Sequence, residues 1–80
     1  MRRIVVRAPA CGADIIIYLK RVFRIHAEEL QPGEQVEFAF DAERFPFADP
    51  IFESLMKAAG LRLIAARAED GTRVFAAEKG

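Results

Sequence analysis

Apolar and polar residues recur along this chain with two different periods, and the switches between them mark successive strands and helices. Ile4, Val5 and Val6 form a β-branched run that reads as a strand over Arg2 to Ala8. It should stop at Pro9, which has no amide proton to give to a ladder. Beyond Ala10-Cys11-Gly12 a helix begins near Asp14 and runs to about Leu30. Ile16, Leu19, Phe23, Ala27 and Leu30 fall on one stripe at spacings of three and four, and Lys20, Arg24 and Glu28 mark its wet side. Gln31-Pro32-Gly33-Glu34 ends this helix in a turn whose third place, where type II geometry needs a positive φ, is a glycine. Val36, Phe38 and Phe40 then alternate with Gln35, Glu37 and Ala39, the period of a strand buried on one face. Asp41 to Phe47 reads as a loop. Asp49-Pro50 signals the cap and first turn of a second helix that ends at Gly60, with Phe52, Leu55 and Ala59 on its inner face. Leu61 to Glu69 and Thr72 to Lys79 flank Asp70-Gly71, a pair that tolerates the positive φ angles of a type I′ hairpin turn.

The order is βαβαββ. Right-handed crossovers place both helices on the same side of one sheet, so the expected fold is a two-layer α/β sandwich with a four-stranded mixed sheet. Its 80 residues hold one domain, residues 1–80, and leave no room for a large active-site cleft. At 52% apolar and 30% charged the composition is globular, which argues against wholesale disorder. Twelve basic and twelve acidic side chains cancel, which excludes the strongly basic surface of nonspecific nucleic-acid binders. The charge is uneven nonetheless: residues 1–26 carry +5, residues 27–53 carry −7 and the remainder +2. Such a sided field steers partners.

One cysteine forbids an internal disulfide, and with a single histidine, His26, a conventional zinc site is excluded. The apolar run Ile15 to Leu19 falls far short of the ~20 residues that cross a bilayer. Met1-Arg2-Arg3 imitates a signal-peptide start and Ala8-Pro9-Ala10-Cys11 a lipoprotein cleavage site, but Arg7 interrupts the apolar stretch between them. The expected location is cytoplasmic, without membrane attachment.

Cys11 is the side chain with nucleophilic potential. It lies between a strand and a helix, where free amides and the helix dipole favour a thiolate. Gly12 leaves the sulfur unshielded on one side, and Arg2, Arg3 and Arg7 add positive potential. The plainer alternative is that Cys11 is a small apolar filler. Arg7-Ala8-Pro9-Ala10-Cys11-Gly12-Ala13-Asp14 resembles the R-G-x-x-C-P-x-P signature of the TusA (SirA-like) sulfur-carrier family. Gln31-Pro32-Gly33-Glu34 is similar to that family's P-G-E turn, Asp49-Pro50-Ile51 to its D-I at the second helix, and Gly60 to the glycine before its third strand. The resemblance spans about residues 4–79 and implies the same βαβαββ fold. It further implies that Cys11 carries a persulfide without any cofactor, supported by Arg7, Gly12 and Asp14. Sulfur would pass from a donor such as a cysteine desulfurase or a rhodanese-like protein to an acceptor protein. Gly12 and Asp14 stand where the family has prolines, and Ala8 where it has glycine, so this is a divergent member. If Asp14 is the N-cap, Cys11 lies outside the helix. If Cys11 caps, Asp14 sits in the first turn and raises the thiol's pKa.

His26 shares a stripe with Ile15, Leu19 and Val22 and reads as a partly buried, hydrogen-bonded core residue. It is about four turns from Cys11, too far to act as its base. Phe45, Phe47 and Phe52 read as closure of the core, with a docking spot beside Asp41, Glu43 and Asp49 as the alternative. Lys20, Arg21 and Arg24 form a wet helix face that could meet an acidic partner, because Ile17 shares their side. The surplus apolar residues on the first helix suggest a homodimer. Two rival functions stand beside sulfur relay. One is a noncatalytic module with the same fold that docks to sulfur or redox enzymes. The other is RNA binding, by analogy with the C-terminal domain of initiation factor three, against which the neutral charge argues.

Overall fold

The computed structural model describes residues 2–9 and 14–80; the turn expected at Ala10-Cys11-Gly12 lies outside them. The element order is β1 (Arg2–Val6), α1 (Ile15–Glu29), β2 (Gln35–Asp41), α2 (Asp49–Ala58), β3 (Leu61–Glu69) and β4 (Thr72–Lys79). The strands form one mixed sheet in the order β1-β2-β4-β3. Strand β1 runs parallel to β2, with Arg2 opposite Val36 and Val6 opposite Phe40. Strand β4 lies antiparallel to both β2 and β3. β3 is therefore parallel to β2, so each helix is a crossover between parallel strands, and the sandwich has two layers as its sequence pattern implies.

The turns explain why the chain reverses where it does. Gly33 has φ +89° and the amide of Glu34 bonds to the carbonyl of Gln31 at 3.0 Å, closing the turn between α1 and β2. Asp70 (φ +43°) and Gly71 (φ +79°) both sit in the left-handed region, as a type I′ hairpin demands.

The core is apolar throughout: no polar or charged side chain among the described residues is buried. Val36, Phe38 and Phe40 of β2 point at the helices and meet Leu19, Phe23 and Ala27 of α1 and Phe52, Leu55 and Met56 of α2. Phe40 lies at the centre. Its ring is 6.0 Å from that of Phe23, 5.2 Å from Phe45, 5.0 Å from Phe52 and 5.7 Å from Phe75. Phe45 and Phe52 are fully buried, so the aromatic cluster around the 41–48 loop closes the core.

Arg73 of β4 organises that loop in a way the sequence pattern did not foretell. Its guanidinium lies over the rings of Phe52 and Phe75, donates to the carbonyls of Phe45 and Phe47, and pairs with Asp49. This accounts for a departure from the expected helix cap. Asp49 lies inside the first turn of α2 with its carboxylate paired to Arg73, and the N-cap is Ala48, whose methyl group offers no acceptor to the helix amides.

A second departure is a register shift between Leu63 and Ala65, a bulge that leaves Ile64 half exposed. It returns Ala65 and Arg67 to the face away from the helices, opposite Ala76 and Val74.

On that open face Arg3 and Arg67 both pair with Glu37, at 3.2 and 3.0 Å, and both also pair with Glu69, closing a ring of four charges. Arg67 lies opposite Val74, whereas Glu37 lies opposite Ala76, so the guanidinium crosses β4 diagonally to reach its partner. Val74 points away from the helices and is nevertheless fully buried, covered by the ring.

Arg67 and then Arg3 hold the Glu37 carboxyl below its ordinary value of 4.5, and Arg67 does the same to Glu69. Carboxylates lowered in the folded state contribute stability that is complete above the unfolded value and lost as pH falls through the folded one. Stability should decline from about pH 5 downward, and Glu37→Gln, followed by urea unfolding against pH, should flatten that decline while lowering stability at neutral pH. Phe40→Ala should cost about 3–5 kcal/mol by the same measurement, since one truncation opens a cavity shared by four rings.

Candidate functional site

The expected reactive group, Cys11, and its neighbour Gly12 lie outside the described residues. The two stems of their connection are described: Arg7, Ala8 and Pro9 on the strand side and Asp14 on the helix side. Asp14 is the N-cap of α1. Its Oδ1 accepts from the amides of Ile16 at 2.9 Å and Ile17 at 3.2 Å, while its carbonyl accepts from Tyr18. Of the two arrangements open to sequence reasoning, the structure has the one in which Asp14 caps and the helix starts at Ile15. The amides that would otherwise offer themselves to an external anion already serve a carboxylate of the chain.

Tyr18 joins the stems. Its hydroxyl donates to the carbonyl of Arg7 at 2.8 Å, pinning the first turn of α1 to the end of β1. Sequence reading overlooked Tyr18; its place one turn beyond Asp14, beside the α1 stripe, was the available signal.

The end of β1 opens onto a cleft of about 970 Å³ at the carboxyl ends of the parallel strands β1 and β2. Ligands of open α/β sheets bind at such carboxyl ends. Arg7 and Ala8 line it from the strand stem, Asp41, Glu43 and Arg44 from the loop after β2, and Asp70 and Gly71 from the hairpin turn. Arg44 lies 3.9 Å from Asp41. Among the described residues no carboxylate lies within 4 Å of the Arg7 side chain, so Arg7 brings an unneutralised cation to the rim.

The three arginines expected to act together are separated. Arg2 sits at the far end of β1, about 16 Å from Arg7 at strand rise, and its guanidinium is 3.8 Å from Glu29. Arg3 lines the cleft but its charge belongs to the ring with Glu37 and Glu69.

Asp41 and Glu43, read from sequence as a solvated loop, are cleft residues through the loop geometry: the Asp41 carboxylate accepts from the Glu43 amide at 2.9 Å. His26 is partly buried as expected, its ring 5.9 Å from that of Phe38. It is not hydrogen-bonded as expected: Nδ1 has no hydrogen-bond partner, and its polar neighbour is Glu29 at 3.9 Å. α1 carries its face away from the cleft, so a catalytic role for His26 finds no geometry here.

No protein-family model and no curated protein matches the sequence. Among solved structures the chain is similar to two crystal structures of the antibiotic-resistance methyltransferase Kmr, with TM-score 0.64 for each. Identity is 17% and 16%; 98% of this chain is covered in both, against 49% and 50% of the other. This chain thus spans about half the length of Kmr. It is also similar to the solution structure of HP1264 from Helicobacter pylori, with TM-score 0.59 and 22% identity over 99% of this chain and 97% of that one. At such identities these likenesses concern the fold alone. The resemblance to the TusA family rests on the quoted motifs. No helix among the described residues is long and apolar enough to cross a membrane.

Tyr18→Phe deletes the bond that ties the stems. Thermal or urea unfolding should register a loss of about 1 kcal/mol, and hydrogen exchange should quicken at the amides of Ile16 and Ile17 before it does in β2.

Proposed function

We propose that the protein is a persulfide sulfur carrier that works through Cys11 in the cytoplasm, between a donor such as a cysteine desulfurase or rhodanese-like protein and an acceptor protein. The observation that supports this most is the setting of the sole cysteine: its connection leaves the cleft rim at Ala8 and rejoins the fold at the capped start of α1. A cysteine borne on a connection between these two stems suits a task in which two proteins reach it in turn.

The chemistry balances without a cofactor. The Cys11 thiolate attacks the outer sulfur of the donor persulfide. A new S–S bond forms as the old one breaks, and the donor leaves as a thiolate that takes up a proton. An acceptor thiolate then attacks the outer sulfur on Cys11, and the Cys11 thiolate departs. Nothing is oxidised or reduced overall.

Arg7 supplies the positive potential that favours the thiolate and attracts the anionic persulfide. The α1 amides contribute little to this, since Asp14 holds them. Gly12, next in sequence to the cysteine, has no side chain of its own. Asp14 acts as a structural support that fixes where the connection ends. The same feature favours a second reading, a noncatalytic module docking to sulfur or redox enzymes, because a carboxylate at the helix start opposes thiol ionisation.

Incubation with a persulfide donor should add about 32 Da, one sulfur atom, to the intact protein. The adduct should be absent from Cys11→Ala and discharged by an acceptor thiol. Arg7→Glu should slow loading by about tenfold or more while leaving the fold unchanged by circular dichroism. A docking module would take no adduct, and Cys11→Ala would bind its partner as the parent chain does.

A further inference from the structure

The two edges of the sheet differ. β3, at one end of the strand order, is broken by the bulge at Ile64, and its charges Arg62, Arg67 and Glu69 are all paired within the fold. β1, at the other end, keeps an unbroken register with β2, so its alternate peptide groups point outward in a regular row. Among the described residues no backbone hydrogen bond reaches that row. Over it lies one flank of α1, placed there by the Tyr18 hydroxyl on the Arg7 carbonyl and by Glu29 beside Arg2. Ile15, Tyr18 and Val22 on that flank are only partly buried, as is Ile4 of β1. On the opposite face Val5 is 68% exposed, between Arg3 and Arg7 along the outer row of β1.

We infer that β1 takes an added strand from a partner protein, with apolar side chains toward α1 and, on the outer face, an acidic side chain beside Arg7. The unbonded row of peptide groups selects a strand as the occupant, because only extended backbone satisfies it. The inner side chains of that strand complete the burial of Ile4, Tyr18 and Val22, and its outer ones lie next to Arg3, Val5 and Arg7. Arg2 is paired with Glu29, and Arg3 with Glu37 and Glu69, so the charge left to recognise a partner is that of Arg7. The acids of the cleft lie on the other side of it. Asp41 is on β2, one strand further in, and the amide of Ala42 bonds to the carbonyl of Gly71 at 2.8 Å. That bond ties the loop bearing Glu43 to the hairpin bearing Asp70, on the side of β2 away from β1. The Asp14 carboxylate is taken up by the amides of α1. A second copy of β1 brings no acid to Arg7 in any register, because residues 2–9 hold three arginines and no carboxylate. The same arginines therefore discourage pairing between copies and admit an acidic strand. The inference does not depend on Cys11.

The test titrates the acetylated, amidated peptide Ser-Glu-Val-Val-Val-Glu-Ser into the isotope-labelled full chain at low salt, followed by NMR. Its side chains read the same in both directions, so an acid reaches Arg7 in parallel and antiparallel addition alike. Shifts should concentrate at the amides of residues 2–7 with a dissociation constant of millimolar order, and hydrogen exchange should slow at alternate amides of β1. N-methylation of two successive valines should abolish binding, since one of the two must lie in the row of bonds. Replacing both glutamates of the peptide by lysine should weaken binding at least about threefold. Arg7→Glu, checked for folding by circular dichroism, should invert that preference, and Cys11→Ala should bind as the parent does. No shifts at β1 up to the solubility limit of the peptide, or shifts centred on β3, would overturn the inference. So would equal binding of the lysine peptide to the parent chain, or binding that survives N-methylation.

Discussion

The contact on which this structure depends is the burial of Phe40 on the central strand β2. Rings from α1, the 41–48 loop, α2 and β4 meet at that one side chain, so no layer or connection can move without uncovering it. With Phe38 and Val36 it commits β2 to one face and so fixes the register of both neighbours, because a slip by one residue would turn all three to water. The cleft is a consequence. Val6 pairs with Phe40, so the chain leaves β1 beside the place where it leaves β2, and the two following connections share a wall.

The two faces of the sheet meet opposite demands. The inner face is filled by aromatic and aliphatic side chains and needs no polar partner. The outer face has no second helical layer, and its middle row holds Val74, Ala39 and Ala76, too small to shed water alone. The ring of Arg3, Glu37, Arg67 and Glu69 serves there as a cover: methylene stems lie over β4 and charged ends satisfy one another in solvent. Isolated surface pairs contribute little. Here the shared partners hold the four side chains in one arrangement, and each additional bond orders less chain than the first. Arg73 does the equivalent work on the inner face, stacking on two rings while its charged end closes the loop beside the cleft.

At the site, the sequence motif and the local electrostatics pull in different directions. A cysteine before a helix invites activation by the helix amides. In this chain Asp14 holds those amides itself, which stabilises α1 and removes the commonest source of thiol acidity. What remains is Arg7, free of any acidic neighbour among the described residues at the cleft rim. Neighbours of known structure share the fold at low identity, and folds of this size serve many chemistries, so the function has to be read from these few side chains.

Much of this was legible in the linear pattern. Period-two and period-3.6 hydrophobicity located every strand and helix to within a few residues, and Pro32-Gly33 and Asp70-Gly71 marked their turns, because these signals arise from contacts within a few positions along the chain. Asp14 was recognisable as a cap for the same reason, though not which of two caps would form. Tertiary structure alone decided the rest. It sent Asp49 to Arg73 in place of its own helix, drew Arg2 and Arg3 away from Arg7, inserted the bulge at Ile64, and brought Asp41 and Asp70 to one cleft with Arg7. Each of those outcomes depends on a charge or a backbone edge meeting a group distant in sequence. The energy of such a meeting depends on the distance between groups in the folded chain, which the order of residues does not state.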